Sequence, residues 1–393
     1  MATSAAQIRA YTGPALLSYG FRPFFLFGAL WAALAVVLWL PMLSGHLVLP
    51  STLAPLEWHV HELVYGYVPA IVAGFLLTAV PNWTGRLPVV GMRLAMLFAI
   101  WIAGRLAMLF SLPIGAGIAA AVDLAFLAVL GLVIAREIVA GKSTRNLKVL
   151  AGVALLLTGN ALFHLEVIAG IGDGHGTRLG IAAAILLIML IGGRIIPSFT
   201  RNWLVRSGPG RLPTPFDRFD AAVLFASGVA LASWTIAPQA ATTAVLAVAA
   251  AVLNAVRLGR WAGDRTTDEP LVLILHIAYA FIPIGFFLLA LGIGQPDVVA
   301  PSGSLHGWTT GAVGIMTLAV MTRASLGHTG RPLIATRPVQ LIYLAAVVAA
   351  LARIAAAFDV LRELMLQLSA TAWAAAFGGF VIAFGPQLLR RRA

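Results

Sequence analysis

The sequence contains no cysteine and few charged residues. Of its 393 residues only 10% are charged and 61% are hydrophobic, whereas a soluble domain has about a quarter charged and about half apolar residues. This composition excludes a soluble enzyme. The absence of cysteine excludes disulfides, thiolate metal sites, Fe–S clusters and thiol nucleophiles. Any metal must therefore be held by His, carboxylate, Met or the atoms of a cofactor.

Long apolar runs dominate what is present. A helix that crosses a membrane needs about 20 mostly apolar residues, and twelve such runs follow one another with short loops between them. The first run is too long for the core of a signal peptide and lacks a clear cleavage site. The sequence predicts an all-α polytopic membrane protein of twelve transmembrane helices, with residues 1–393 as a single integral membrane domain. The runs lie at approximately 23–43, 58–81, 93–111, 115–136, 147–170, 178–198, 218–237, 240–258, 270–293, 304–324, 336–357 and 363–388.

Lysine is also scarce, because 24 of the 26 basic residues are arginines. When the loops are assigned to alternate sides, 22 of the 26 fall on one side. The positive-inside rule then predicts that both termini and the basic loops are cytoplasmic. The basic residues are scattered between apolar runs rather than gathered on one face, which excludes nucleic acid as a partner and leaves the lipid bilayer. The four exceptions are Arg105, Arg178, Arg353 and Arg362.

Three of the runs have related ends. The intervals from His61 to Arg86 and from His306 to Arg331 are both 25 residues, and a third interval, between residues 175 and 201, is 26 residues. This spacing predicts three four-helix repeat units, residues 1–140, 141–260 and 261–393. The alternative is that similar helix lengths and basic inner ends produce the same spacing without duplication.

Histidine is the most informative residue type in this chain. Imidazole is costly in hydrocarbon, and in a chain without cysteine it is the natural ligand of haem iron or copper. His59 and His61 lie about 200° apart on an α-helix, so they cannot both face one metal. Glu62 lies on the same face as His59 and can orient it. The alternative is an inert interfacial group. His164, Glu166 and His306 lie at a similar depth, which favours a functional site over that alternative.

Two further histidines lie inside apolar runs. His164 and His276 are each a candidate ligand of copper or a second haem, and the alternative is a hydrogen bond between helices. Three acidic residues, Glu62, Glu166 and Asp123, are the predicted proton carriers, because carboxylates inside a membrane commonly serve as relays.

Two arginines lie within apolar runs where topology requires no charge. Arg105 and Arg353 need an anion if they are buried, since a guanidinium is paired in such surroundings. Haem propionates are one such anion, and we assign both arginines this role as an expectation. The alternative anions for the two arginines are the carboxylates Asp123, Glu166 and Asp359. Snorkelling to the outer interface explains Arg353 without any cofactor.

Five segments resemble the NnrS family. They are FRPFF at 21–25, WHVHE at 58–62, GFLLTAVPNWTG at 74–85, RIIPSFTRNW at 194–203 and MTRASLGHTGR at 321–331. The resemblance extends through nearly the whole chain. It implies a bacterial inner-membrane protein of twelve helices that contains haem and copper. It also implies a link to nitric oxide, denitrification and protection against nitrosative stress.

A looser resemblance concerns the arrangement of helices only. Haem–copper oxidases and nitric oxide reductases also have a twelve-helix core in three four-helix arcs, with haem ligands on helices two and ten near the outer face. His59 or His61 on the second run and His306 at the tenth fit that placement, so the resemblance implies these three histidines as the haem axial candidates. The sixth run has no histidine within the membrane and the seventh has no histidine pair. These departures argue against an oxidase-type copper site and against oxygen chemistry.

Together these observations predict a membrane protein with haem b and copper that binds nitric oxide and turns it over. Reduction to nitrous oxide is one such reaction, with electrons from a donor that the sequence does not identify. The alternative function is that of a transporter, a metal-delivery protein or a nitric oxide sensor without turnover. A transporter gains support from the Gly/Pro-interrupted helices.

Overall fold

The computed structural model describes residues 11–391, apart from the side chains of residues 301 and 302. Within these residues all regular structure is helical and no strand occurs. Eleven helices are long and apolar enough to cross a membrane. The prediction of an all-α polytopic membrane protein is therefore confirmed, while the cytoplasmic placement of the termini stays a prediction.

Each of the twelve predicted apolar runs lies on a helix. The tenth run is helical from Gly307 onwards, but its geometry changes from π-helical to α-helical within it, so it is not one uninterrupted α-helix. The helices are α1 (Phe21–Leu43), α2 (Pro55–Thr84), α3 (Met92–Leu109), α4 (Ala116–Ala140), α5 (Leu147–Ala169), α6 (His175–Ser207), α7 (Arg218–Ile236), α8 (Ala241–Gly259), α9 (Pro270–Gly294), α10 (307–328), α11 (Arg337–Ala357) and α12 (Arg362–Leu389).

Proline and glycine mark several helix ends. Pro55 begins α2 and Pro270 begins α9. At the first position of a helix the backbone N–H has no partner within the helix, so proline, which lacks this group, costs no hydrogen bond there. Gly85 ends α2 and Gly170 ends α5, both in the left-handed conformation, with φ of 69° and 67°. Glycine adopts this conformation without steric cost and so closes the helix.

Two helices contain a π-helical segment directly after a histidine. In α2 the segment Glu62–Tyr67 follows His61, and in α10 the segment Gly307–Ile315 follows His306. A π-helical turn holds an extra residue, redirects the side chains around it and is frequent at functional sites. The apolar runs of the sequence carry no signal for either segment.

The chain divides into two compact units. Unit 1 contains the residues up to Ala183, Ser325–Arg331 and the residues from Phe377 onwards, and unit 2 contains Ala184–Ala324 and Pro332–Ala376. These units describe packing, and their boundaries differ from those of the predicted repeats. The three-repeat organisation stays a prediction.

A buried arginine joins the first and last helices within unit 1. Arg22 donates from Nη1 to the carbonyl oxygens of Gln387, Leu388 and Arg390, at 3.1, 2.9 and 2.9 Å. These carbonyls lie at the C-terminal end of α12, where a cation offsets the negative end of the helix dipole. Arg22 of the FRPFF segment thus caps α12 from α1.

Unit 2 contains a buried polar network that connects α7, α8 and α9. Arg257, which is fully buried, donates from Nε to Asp220 Oδ1 and from Nη1 to the Tyr279 hydroxyl, both at 2.8 Å. Tyr279 donates to Asn254 Oδ1 at 2.9 Å, and Asn254 donates to Ser227 Oγ at 2.9 Å. The network satisfies polar groups that the membrane interior would otherwise leave unpaired.

Candidate functional site

Five predicted site residues come together inside unit 1. Every one of the five side chains is at most 6% exposed. An asparagine, Asn160 of α5, completes the group, which we call the ionic cluster. Its six members are His61 and Glu62 of α2, Arg105 of α3, Asp123 of α4, and Asn160 and His164 of α5.

Asp123 lies at the centre of the ionic cluster. Its Oδ2 atom is 3.2 Å from His61 Nε2 and 3.2 Å from His164 Nε2. The same oxygen accepts a hydrogen bond from Asn160 Nδ2 at 2.6 Å, and Oδ1 accepts one from Arg105 Nη2. Asp123 therefore connects residues from α2, α3 and α5 to α4.

Glu62 holds His61 and Arg105 from the other side. Its Oε1 atom is 2.9 Å from His61 Nδ1. Its Oε2 atom accepts from Arg105 Nη1 at 2.6 Å and from Trp31 Nε1 at 2.7 Å. Adjacent residues of an α-helix point about 100° apart, and here the π-helical segment begins at Glu62. Glu62 thus contacts its neighbour His61, whereas the sequence predicted that it would orient His59.

Gly66 provides the space in which Arg105 reaches Glu62. A Cβ atom at this position would lie 2.3 Å from Arg105 Nη1 and 2.8 Å from Glu62 Oε2. The carbonyl oxygen of Gly66 also accepts a hydrogen bond from Trp101 Nε1 at 2.9 Å. Only glycine fits here without moving the ion pair.

We expect Gly66→Ala to disrupt the ion pair between Arg105 and Glu62 and to destabilise the protein by about 1–3 kcal/mol, as overpacking of a core does. Thermal unfolding in detergent measures the effect. Gly131→Ala is the matched control, because its new Cβ would meet only Val153, at 3.8 Å, and alanine favours helix more than glycine. Equal melting temperatures for the two variants would contradict this geometry.

The ionic cluster carries an excess of negative charge when its histidines are neutral. Two carboxylates, Glu62 and Asp123, face the single guanidinium of Arg105. A cation bound there would offset the remaining charge, and burial makes such compensation important. Two buried atoms of the cluster, Asn160 Oδ1 and Arg105 Nε, also have no hydrogen-bond partner within residues 11–391.

Three members of the cluster form a set that can hold a metal ion. One ligand atom each from His61, Asp123 and His164 lie within 4.8 Å of one another. Two imidazoles and a carboxylate suit divalent transition metals. Metal-bound histidines usually donate their second ring N–H to a carboxylate, and Glu62 occupies that position on His61.

The other predicted residues of unit 1 have different surroundings. His59 stacks on Trp39 with ring centroids 4.0 Å apart. Glu166 accepts hydrogen bonds from the backbone N–H groups of His175 and Gly176, at 2.7 and 3.1 Å. Glu166, a residue of α5, therefore faces the N-terminal end of α6. A carboxylate there stabilises the positive end of the helix dipole.

The remaining candidates belong to unit 2. His276 of α9 has its Nε2 atom 2.8 Å from Thr200 Oγ1, and its buried Nδ1 atom has no hydrogen-bond partner in the described part of the chain. His306 immediately precedes the π-helical segment of α10. Arg353 lies half-buried on α11. The ionic cluster is built from unit 1 alone.

Asn160 and Gly66 are the members of this site that sequence reasoning missed. Asn160 lies four residues before His164 on α5, so the two share one helix face. That spacing is a signal that was available. Gly66 lies one turn after Glu62, but nothing in its local sequence indicates that an arginine from another helix contacts it.

Comparison with protein families gives one match. A family model described as NnrS protein matches residues 15–392. The matched region contains all twelve helices and every member of the ionic cluster. None of the curated proteins compared with the sequence matches it.

Proposed function

Because the chain belongs to the NnrS family, we propose that it is a metalloprotein of the bacterial cytoplasmic (inner) membrane that binds nitric oxide and turns it over. The observation that carries this proposal is the buried set of His61, Asp123 and His164. Ionisable groups inside a membrane protein are costly and are functional by default. The need of Arg105 for a counterion explains its contacts with carboxylates. It does not explain why two histidines approach the same oxygen of Asp123.

We assign copper to this set. Imidazole and carboxylate ligands suit copper, and the excess negative charge of the cluster favours a cation there. Copper bound there would supply redox chemistry for the conversion of nitric oxide. His61, Asp123 and His164 would hold the ion, Glu62 orients the His61 ring, and Arg105 offsets one carboxylate charge.

The carboxylates also serve the proposed turnover. Reduction of nitric oxide to nitrous oxide and water consumes protons, and it consumes electrons that an external donor supplies. Glu62 and Asp123 lie inside the cluster, where they can hold protons close to the reacting molecule. Glu166 of α5, which is part-buried against the first residues of α6, is the third proposed proton carrier.

We further propose that haem b binds elsewhere in the protein, with His59 or His306 as the axial ligand and Arg353 as a partner of the propionates. His61 fits a haem less well, because both of its ring nitrogens face carboxylates. Arg105 likewise already pairs through Nη1 and Nη2 with two carboxylates. His276 stays a candidate ligand of a second metal.

Metal analysis and optical spectra of the purified protein test the cofactors. We expect copper and a Soret band in the wild type. Loss of an outer-shell partner lowers metal affinity by about 10–100-fold. His61→Ala and His164→Ala each remove a proposed direct ligand, so each should lower copper affinity by more than that, while the Soret band persists. His46→Ala, an exposed histidine, is the control. A wild type without copper, or variants that retain it, would refute the copper assignment.

Nitric oxide turnover is tested separately, by adding nitric oxide to the reduced protein and measuring nitrous oxide. We expect nitrous oxide from the wild type and none from His164→Ala. Binding of nitric oxide without formation of nitrous oxide would contradict turnover and favour a sensor or scavenger. No binding at all would contradict the proposed function.

A further inference from the structure

Three nitrogen atoms approach one oxygen atom inside the ionic cluster. Asp123 Oδ2 lies 3.2 Å from both His61 Nε2 and His164 Nε2. The same oxygen lies 2.6 Å from Asn160 Nδ2. A carboxylate oxygen has about two lone pairs, so it cannot accept a full hydrogen bond from all three nitrogen atoms. Hydrogen bonding alone therefore does not account for this arrangement.

A cation bound among these atoms would change the part that each of them plays. The Nε2 atoms of the two histidines would face it with their lone pairs, which requires that neither nitrogen carries a proton. An amide N–H group carries partial positive charge, so the cation would repel Asn160 Nδ2 from its present position. The carbonyl oxygen of an asparagine, in contrast, is a metal ligand. A cation thus favours Oδ1 at the position that Nδ2 now has.

The surroundings of Asn160 allow this exchange at little cost. Its Oδ1 atom is buried and has no hydrogen-bond partner in the part of the chain that the structure describes. The oxygen and the nitrogen of an amide have nearly the same shape, so turning the amide over exchanges them without extra volume. Oδ1 has no bond to lose, and a bond to the cation replaces the bond from Nδ2 to Asp123.

We propose that Asn160 is the fourth ligand of the copper ion, through Oδ1, and that its amide turns over when the ion binds. The inference rests on the proposed function, because it concerns the coordination of the same ion. Asn160 and His164 lie four residues apart on α5 and share one helix face, so a single helix can supply both ligands. With His61 and Asp123 the set has two nitrogen and two oxygen donors, which is typical of tetragonal Cu(II) or Ni(II) sites.

Pulsed EPR of the full-length, Cu(II)-loaded protein in detergent tests the ligand directly. Protein labelled with ¹³C at the side-chain carbonyl of asparagine should show a ¹³C coupling to the copper, and Asn160→Leu should abolish it. The labelled wild type needs no substitution, so the test holds even if a variant fails to fold. Asn254→Leu is the matched control, because Asn254 is a fully buried asparagine of unit 2 that donates to Ser227. It should keep the coupling.

The amide oxygen should also bias the redox state of the copper. Soft sulfur ligands select Cu(I), whereas nitrogen and oxygen donors suit Cu(II). We expect Asn160→Leu to weaken Cu(II) binding by about tenfold more than Cu(I) binding, which corresponds to a rise of about 59 mV in the reduction potential. Competition titrations in both oxidation states and potentiometry measure the two quantities. Equal losses in the two states would contradict an oxygen ligand.

Asn160→Asp separates a ligand from a hydrogen-bond donor. Aspartate supplies an oxygen but no N–H, so this variant should bind Cu(II) at least as tightly as the wild type. A loss as large as that of Asn160→Leu would show that only the N–H group matters. If copper binds and the labelled wild type shows no ¹³C coupling, the inference is wrong while the copper assignment stands. If the wild type binds no copper, the copper assignment fails and the inference fails with it.

Discussion

Asp123→Asn is expected to abolish copper binding and to destabilise the protein by about 3–5 kcal/mol, the effect of removing one partner from a buried ion pair. The asparagine side chain carries no charge, so the guanidinium of Arg105 keeps only Glu62 as its counterion. Asparagine offers one acceptor oxygen in place of two, so it cannot face both Arg105 and the two imidazole nitrogens that now lie against Asp123 Oδ2. Elemental analysis measures the copper, and thermal unfolding in detergent measures the stability.

Asp264→Asn is the matched control for this variant. Asp264 also pairs with an arginine, Arg211, but both side chains are more than half exposed, and an exposed pair contributes about 0–1 kcal/mol. Glu62→Gln separates the two effects, because it removes a charge but leaves the His61–Asp123–His164 set complete. It should weaken copper binding by about 10–100-fold, as loss of an outer-shell partner does. Full copper content in Asp123→Asn would place the metal elsewhere.

The second large effect is expected in unit 2, where Arg257→Met should destabilise the protein by about 3–5 kcal/mol. Arg257 donates to Asp220 and to Tyr279, and its guanidinium lies 5.1 Å from the ring centroid of Trp261. Its loss leaves Asp220 buried with only the more distant Arg260, at 3.4 Å. Thermal unfolding in detergent measures the change.

A double variant shows whether uncompensated charge causes this loss. Asp220→Asn in the Arg257→Met background should recover part of the stability, because it removes the charge that the first substitution left unpaired. Arg211→Met, at an exposed ion pair, is the control. If the double variant is as unstable as the sum of the two single variants, the two residues do not interact in the way the distances indicate.

The helices were predictable from the sequence because a bilayer imposes a simple requirement. A segment must be about 20 residues long and apolar to cross it, and each predicted run lies on a helix. The π-helical segments were not predictable, since one extra residue in a turn does not alter the composition of a run. In α2 the π-helical segment begins at Glu62, a member of the ionic cluster, directly after His61.

The members of the site were predictable singly but not as a group. Sequence reasoning selected His61 as a haem ligand, His164 as a ligand of copper or a second haem, and Arg105 as a partner of haem propionates. It also selected Glu62 and Asp123 as proton carriers. For Arg105 the alternative of a nearby carboxylate describes the contacts that the structure shows. Apart from the pairing of Arg105 with Asp123, the sequence contains no signal that these residues share one cluster.

What the sequence determined by itself is the class of molecule: an apolar, cysteine-free chain of membrane helices in which a few intramembrane His, Arg, Asp and Glu residues call for an explanation. Those properties are local, because each depends on residue type and on distance along the chain. The tertiary structure alone decided which of these residues meet. The cluster is assembled from four helices, and its contacts span up to 62 residues of sequence. Packing details such as the missing side chain of Gly66 determine which atoms approach each other.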